Sequence, residues 1–134
     1  METGWFIHYT VTRYMGAGIE VLVQVPIRGP ASVACRRTGG DWDLPMLASE
    51  PNAAQYFGEL PSVRARELYQ QFSSARVGAV PPCTTTIDAD AHRLVFTGGG
   101  ANRVEFQWSI KLPPNWTELT GIVCALTSLA EELL

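Results

Sequence analysis

The chain is poor in lysine: Lys111 is the only one in 134 residues. Its other basic side chains are scattered arginines, and only Arg36-Arg37 and Arg64/Arg66 come close together. The net charge is −3 and the pI is near 5.3. That balance offers no general attraction to a phosphate backbone, so nucleic acid is not expected as a partner. Histidine is as scarce, with only His8 and His92. Nucleophilic catalysis needs a Ser, Cys or Thr beside a base, usually His, with a third group to orient it. There is no Gly-x-Ser-x-Gly elbow and no glycine-framed cysteine. Cys124 falls among apolar residues in a helical pattern, a poor setting for a thiolate. The chain is therefore read as non-enzymatic.

Cysteines are few, odd in number and far apart: Cys35, Cys83 and Cys124. No Cys-x-x-Cys pair and no Cys/His group has zinc-ligand spacing. They read as buried or free thiols in a reducing cytoplasm. Long apolar runs are missing too. The longest, near residues 121–126, is interrupted by Thr127 and Ser128, far short of the ~20 residues a spanning helix needs. The first residues carry neither a basic n-region nor a continuous apolar h-region, so no secretory signal is read. The expectation is a cytoplasmic protein without membrane contact and without a cofactor. No internal repeat or low-complexity segment is present.

What is present is ordinary globular composition, 46% apolar and 17% charged, which argues against disorder and fits one domain over residues 1–134. Trp5, Ile7, Tyr9 and Val11 alternate with Phe6, His8, Thr10 and Thr12, which predicts a strand over residues 5–14. Gly16-Ala17-Gly18 breaks it and favours a hairpin into a second strand at 19–25. Residues 31–36 suggest a third. Residues 38–61 are rich in Gly and Pro and are read either as holding a short helix, with 52–57 as the candidate, or as a functional excursion. A helix over 62–76 follows, with Ser62 as N-cap and Ala65, Leu68, Tyr69, Phe72 and Ala75 on one face. Residues 83–89 and 92–97 read as two arms of a hairpin. At 103–110, Val104, Phe106 and Trp108 oppose Glu105, Gln107 and Ser109, the pattern of a strand with one buried face. A last helix begins at Asn115, with Glu118 completing a capping-box-like pair. Trp116, Leu119, Ile122, Val123, Leu126, Leu129, Ala130 and Leu133 repeat along it. The expected fold is α+β: an antiparallel sheet of five to six strands with two helices on one face, in the order βββ-α-βββ-α.

Asp88, Asp90 and His92 are the most chemical-looking group. At every second position of one strand they would share a face and form a mixed carboxylate/imidazole set. Asp90-Ala91 is also a good turn. The favoured reading is therefore an exposed hairpin tip, with Asp88 and His92 as partners across it and no metal. Gly98-Gly99-Gly100 lacks the Lys and Ser/Thr of a phosphate loop and reads as a hairpin turn. Trp108 and Trp116 fall on apolar faces and read as core. Trp42, between Asp41 and Asp43 in a Gly-rich loop, reads as a partner contact. His8 reads as a buried, hydrogen-bonded structural histidine. His8 beside a sizeable cavity would instead favour a small-molecule or enzymatic pocket.

Several segments taken in order resemble one family. Arg13-Tyr14-Met15-Gly16-Ala17-Gly18-Ile19 follows an alternating strand. Leu68-Tyr69-Gln70-Gln71-Phe72-Ser73-Ser74-Ala75 runs into Val80-Pro81-Pro82. Residues 87–96 form a hairpin pattern, and Leu112-Pro113-Pro114 leads into Trp116, Leu119 and Ile122. Together these are similar to the emfourin-like proteins, small bacterial inhibitors of thermolysin-like metallopeptidases. The resemblance covers about two-thirds of the chain and implies a non-enzymatic protein that acts by binding another protein. Met15 and residues 31–60 depart from its pattern. The expected function is a bacterial protein-binding module, an inhibitor of a metallopeptidase. The alternatives are a toxin-neutralising immunity-type protein or a small-molecule-binding or enzymatic domain with a pocket between sheet and helices. A module that dimerises through an exposed sheet edge is a further class. The expected contact residues are Met15, Gly16, Asp41, Trp42, Asp43, Gly99 and Asn102, set in loops.

Overall fold

The computed structural model describes residues 4–12, 18–38, 55–75, 91–98, 102–109 and 112–134. Four strands come first: β1 (Trp5–Thr12), β2 (Gly18–Val25), β3 (Ala31–Thr38) and β4 (Gln55–Leu60). Helix α1 (Ser62–Ser73) follows, then β5 (Ala91–Gly98) and β6 (Asn102–Ser109). A 3-10 turn, Pro114–Leu119, leads into helix α2 (Thr120–Leu133). The strands form one six-stranded sheet in the order β4-β3-β2-β1-β5-β6. Every neighbouring pair is antiparallel. The fold is thus α+β, with strands outnumbering the two main helices.

Alternation decides which side of the sheet is buried. Ile7, Tyr9 and Val11 of β1 share a face with Ile19, Val21 and Val23 of β2 and with Ala31, Val33 and Cys35 of β3. Leu94 of β5 and Phe106 and Trp108 of β6 continue it. β-branched side chains suit such a pleated, half-buried surface. Onto this face α2 lays Ile122, Leu126, Leu129 and Ala130, spaced four, three and one apart and all buried. In α1 only Ala65 and Leu68 are buried. Short helices draw most of their stability from tertiary contact, and α1 makes its contacts through aromatics. Phe72 stacks on Phe96 with centroids 4.5 Å apart, and Tyr69 meets Trp5 at 5.4 Å. The two helices are tied by Arg64, whose Nη1 and Nη2 each donate to Glu132 at 3.0 Å. Both partners are well exposed, so this pair contributes at most about 1 kcal/mol.

Two glycines answer specific demands, one of backbone conformation and one of space. Gly29, at φ 101°, turns the chain between β2 and β3, a conformation costly for other residues. At Gly98 a Cβ would lie 2.8 Å from Phe96 Cε1. Phe96 is held by Trp5, Tyr69 and Phe72, so its ring cannot swing aside freely. Gly98→Ala is expected to destabilise by about 1–3 kcal/mol, as overpacking does. Chemical denaturation measures this, and a neutral result would mean the aromatic stack is loose.

The structure corrects several expectations. Residues 55–57 begin strand β4 rather than ending a short helix; they gain a partner in β3, with Arg36 opposite Gln55. Four described strands therefore precede α1 and two follow it, and the expected arm at 83–89 lies outside the described residues. The N-cap of α1 is Pro61, not Ser62, and no side chain caps it. The last helix does not start as an α-helix at Asn115. Its first turn is 3-10, where Pro114 supplies no N–H, and α2 itself starts at Thr120.

Candidate functional site

Both described helices lie on one side of the sheet. The other face carries Phe6, His8 and Thr10 of β1, Glu20 and Leu22 of β2, Ala34 and Arg36 of β3, and Phe57 of β4. The register sets them in rows across the strands. One row runs Phe57, Ala34, Leu22, His8, Val95, Glu105; the next runs Gln55, Arg36, Glu20, Thr10, Arg93, Gln107. The first row is thus apolar from Phe57 to Leu22 and ends on Glu105, and the second carries Arg36, Glu20 and Arg93.

Glu20 is the centre of the second row. His8 Nε2 lies 3.0 Å from Glu20 Oε2, and Arg36 Nε donates to Glu20 Oε1 at 2.6 Å. His8 and Glu20 are 28% and 26% exposed, Arg36 60%. Burial disfavours the charged carboxylate, but the hydrogen bonds from His8 and Arg36 outweigh it, so the Glu20 pKa falls below its usual value. Ionised Glu20 is an acceptor only. His8 therefore donates its Nε2–H to Glu20, and Nδ1 takes no part in that bond.

This carboxylate ties stability to pH. A folded pKa below the unfolded 4.5 contributes stability above pH 4.5 that is lost as pH falls through the folded value. Glu20→Gln should destabilise at neutral pH by about 1–3 kcal/mol, the range for hydrogen bonds to charged groups. The difference from wild type should shrink below pH 4.5. Urea denaturation at pH 7 and pH 3 tests this, and an equal gap at both would contradict it.

A concavity of about 520 Å³ opens on this face. His8, Glu20, Leu22, Arg36, Tyr56 and Phe57 are among its walls. Phe57 is 77% exposed, unusual for a large apolar side chain on an outer strand. Further along the face, Glu105 accepts from Arg93 at 2.7 Å and from Arg103 at 2.9 Å. Hydrogen bonds from Arg93 and Gln107 hold its carboxyl below the usual range. A separate concavity of about 540 Å³ lies where α1 meets the ends of β3 and β4, lined by Trp5, Leu60 and Tyr69. His8 does not belong to it.

Comparison with family models, with curated proteins and with solved structures finds no match for this chain. The site therefore rests on its own geometry. Met15, Gly16, Asp41, Trp42, Asp43 and Gly99 lie outside the described residues, as do Asp88 and Asp90. Asn102 opens strand β6 opposite Gly98 and so belongs to the sheet rather than to a loop. His92 is not at an exposed hairpin tip. It lies within β5, opposite Val11 and Trp108, on the helix side of the sheet. Its Nδ1 is 2.8 Å from Tyr9 Oη, and its ring stacks on Trp108 at 5.1 Å. Alternation put it there: His92 shares phase with Leu94 and Phe96, which face the core. His8 is hydrogen-bonded as expected but only half-buried, and it faces away from the two described helices.

Sequence reasoning missed Glu20, Arg36, Tyr56 and Phe57. Only strand register brings them to His8. Among the described residues no group of three His, Cys, Asp or Glu could hold a metal. None of their helices is long and apolar enough to cross a membrane. Of the described cysteines, Cys35 is buried on the helix side, and burial raises its thiol pKa. It offers the site no nucleophile.

Proposed function

We propose that the chain is a non-enzymatic binding module that engages another protein through the face of its sheet opposite the two described helices. The carrying observation is the concavity with exposed Phe57 at its rim and the His8–Glu20–Arg36 group in its wall. An exposed aromatic and an arginine beside a groove are the residue types that dominate protein interfaces. His8 and Glu20 also resemble a base with its orienting carboxylate. Cys35 is the one Ser, Cys or Thr among the described walls of the concavity, and burial raises its thiol pKa away from the reactive thiolate, so binding is the better fit. The resemblance to emfourin-like inhibitors makes a thermolysin-like metallopeptidase the first partner to try. The chain should bind such a peptidase, or a partner co-purified from its own cells, and hydrogen exchange should locate the contact. Protection over residues 31–38 and 55–60 in the complex supports the reading. Protection confined to α1 and α2 refutes it.

The His8-lined concavity also gives a small-molecule reading a specific basis. It lies on the face opposite the described helices, not between sheet and helices as that alternative expects.

A further inference from the structure

We propose that the concavity takes an acidic side chain set next to an aromatic residue on a partner peptide. This rests on the binding reading above and names the chemistry of the contact. Arg36 uses Nε for Glu20 and makes no other hydrogen bond or ion pair with described residues. Its Nη edge is therefore open to a ligand. Arginine's planar fork matches a carboxylate through two parallel N–H bonds. Glu20 already holds that fork in one orientation, so less freedom is lost when a ligand arrives.

Charge decides the sign of the ligand. Both carboxylate oxygens of Glu20 are engaged, one by His8 and one by Arg36. A cation there would sit beside the positive Arg36, already 2.6 Å from the same carboxylate. An anion finds donors already displayed. A polyanion is disfavoured, because the net charge is −3 and Arg36 faces neutral Gln55 across β3 and β4. Size decides the rest. A volume of about 520 Å³ exceeds what one carboxylate fills. Leu22 and Phe57 offer an apolar surface beside Arg36, suited to an aromatic ring. His8 argues for a peptide over a simple aryl acid. Its Nδ1 is not used by Glu20 and belongs to a ring lining the same concavity; a peptide backbone, with both N–H and C=O, can meet that nitrogen as acceptor or as donor.

The test uses acetyl-Phe-Glu-amide as the probe, titrated into the labelled whole chain and followed by NMR. Saturable shifts at Ala34, Arg36 and Phe57 are expected. Acetyl-Phe-Gln-amide should bind about tenfold more weakly or worse, since it lacks the charge. Arg36→Gln should abolish the preference for Glu over Gln, with amide shifts of the core strands unchanged. Arg36→Lys, which keeps charge without the fork, should restore it only in part. Equal binding of both peptides, no saturable shift, or an unaltered preference in Arg36→Gln would overturn the proposal. So would 3-phenylpropionate binding as tightly as the peptide, which would assign the site to small acids. A partner footprint on residues 31–38 and 55–60 with no peptide binding would sink this proposal and leave the binding reading standing.

Discussion

Truncating Trp108 to alanine should lower the unfolding free energy by about 3–5 kcal/mol, the upper range for core substitutions. Trp108 is 3% exposed, so its removal leaves a void that rigid strands cannot close. The loss reaches beyond volume. Trp108 stacks on His92 at 5.1 Å with ring planes 3° apart, and on Tyr9 at 6.4 Å. Tyr9 Oη and His92 Nδ1 are in turn hydrogen-bonded across β1 and β5. The indole is the wall against which that pair is held. Urea denaturation should show a lower midpoint with an unchanged slope. Trp108→Phe keeps a ring and should recover much of the loss. A Trp108→Ala cost under about 1 kcal/mol would place it outside the core as ordinarily understood.

Leu126→Ala should cost about 2–5 kcal/mol. Leu126 is fully buried, one of four α2 residues packed on the sheet. Cys124, two residues earlier on the same helix, is exposed. Cys124→Ala should change stability by no more than about 0.5 kcal/mol, as for surface sites generally. The pair separates packing from helix propensity, since alanine favours the helix at both positions. Thermal and urea unfolding of the two variants decide it. Similar losses at both sites would mean that α2 does not dock on the sheet by this face.

Much of the architecture is legible in local pattern. Trp5 to Thr12 alternates so regularly that both faces of β1 can be assigned without coordinates. The same holds for Val104, Phe106 and Trp108 in β6, and for the repeat of Ile122, Leu126 and Leu129 in α2. In each, period and burial coincide because side-chain direction is dictated by the backbone itself. Gln55–Leu60 was less readable. Tyr56 and Phe57 are adjacent aromatics beside Gly58, and their state depends on finding β3 as a partner. His92 misleads for a related reason. An Asp-Ala-Asp-Ala-His run has turn-like composition, yet the strand that continues through Leu94 and Phe96 sets the phase and carries the imidazole inward.

The binding face shows the same division. Sequence by itself determined that His8 alternates with Ile7 and Tyr9 in β1, that the net charge is −3, and that aromatic and β-branched residues can fill a sheet core. Tertiary structure decided that His8, Glu20 and Arg36, at 12 and 16 residues' separation, meet as one group. Strand alternation states which side a residue takes. It does not state which strand lies alongside, or in what register. Those follow from pairing the strands so that their buried faces together meet the helices, and that is a property of the whole chain.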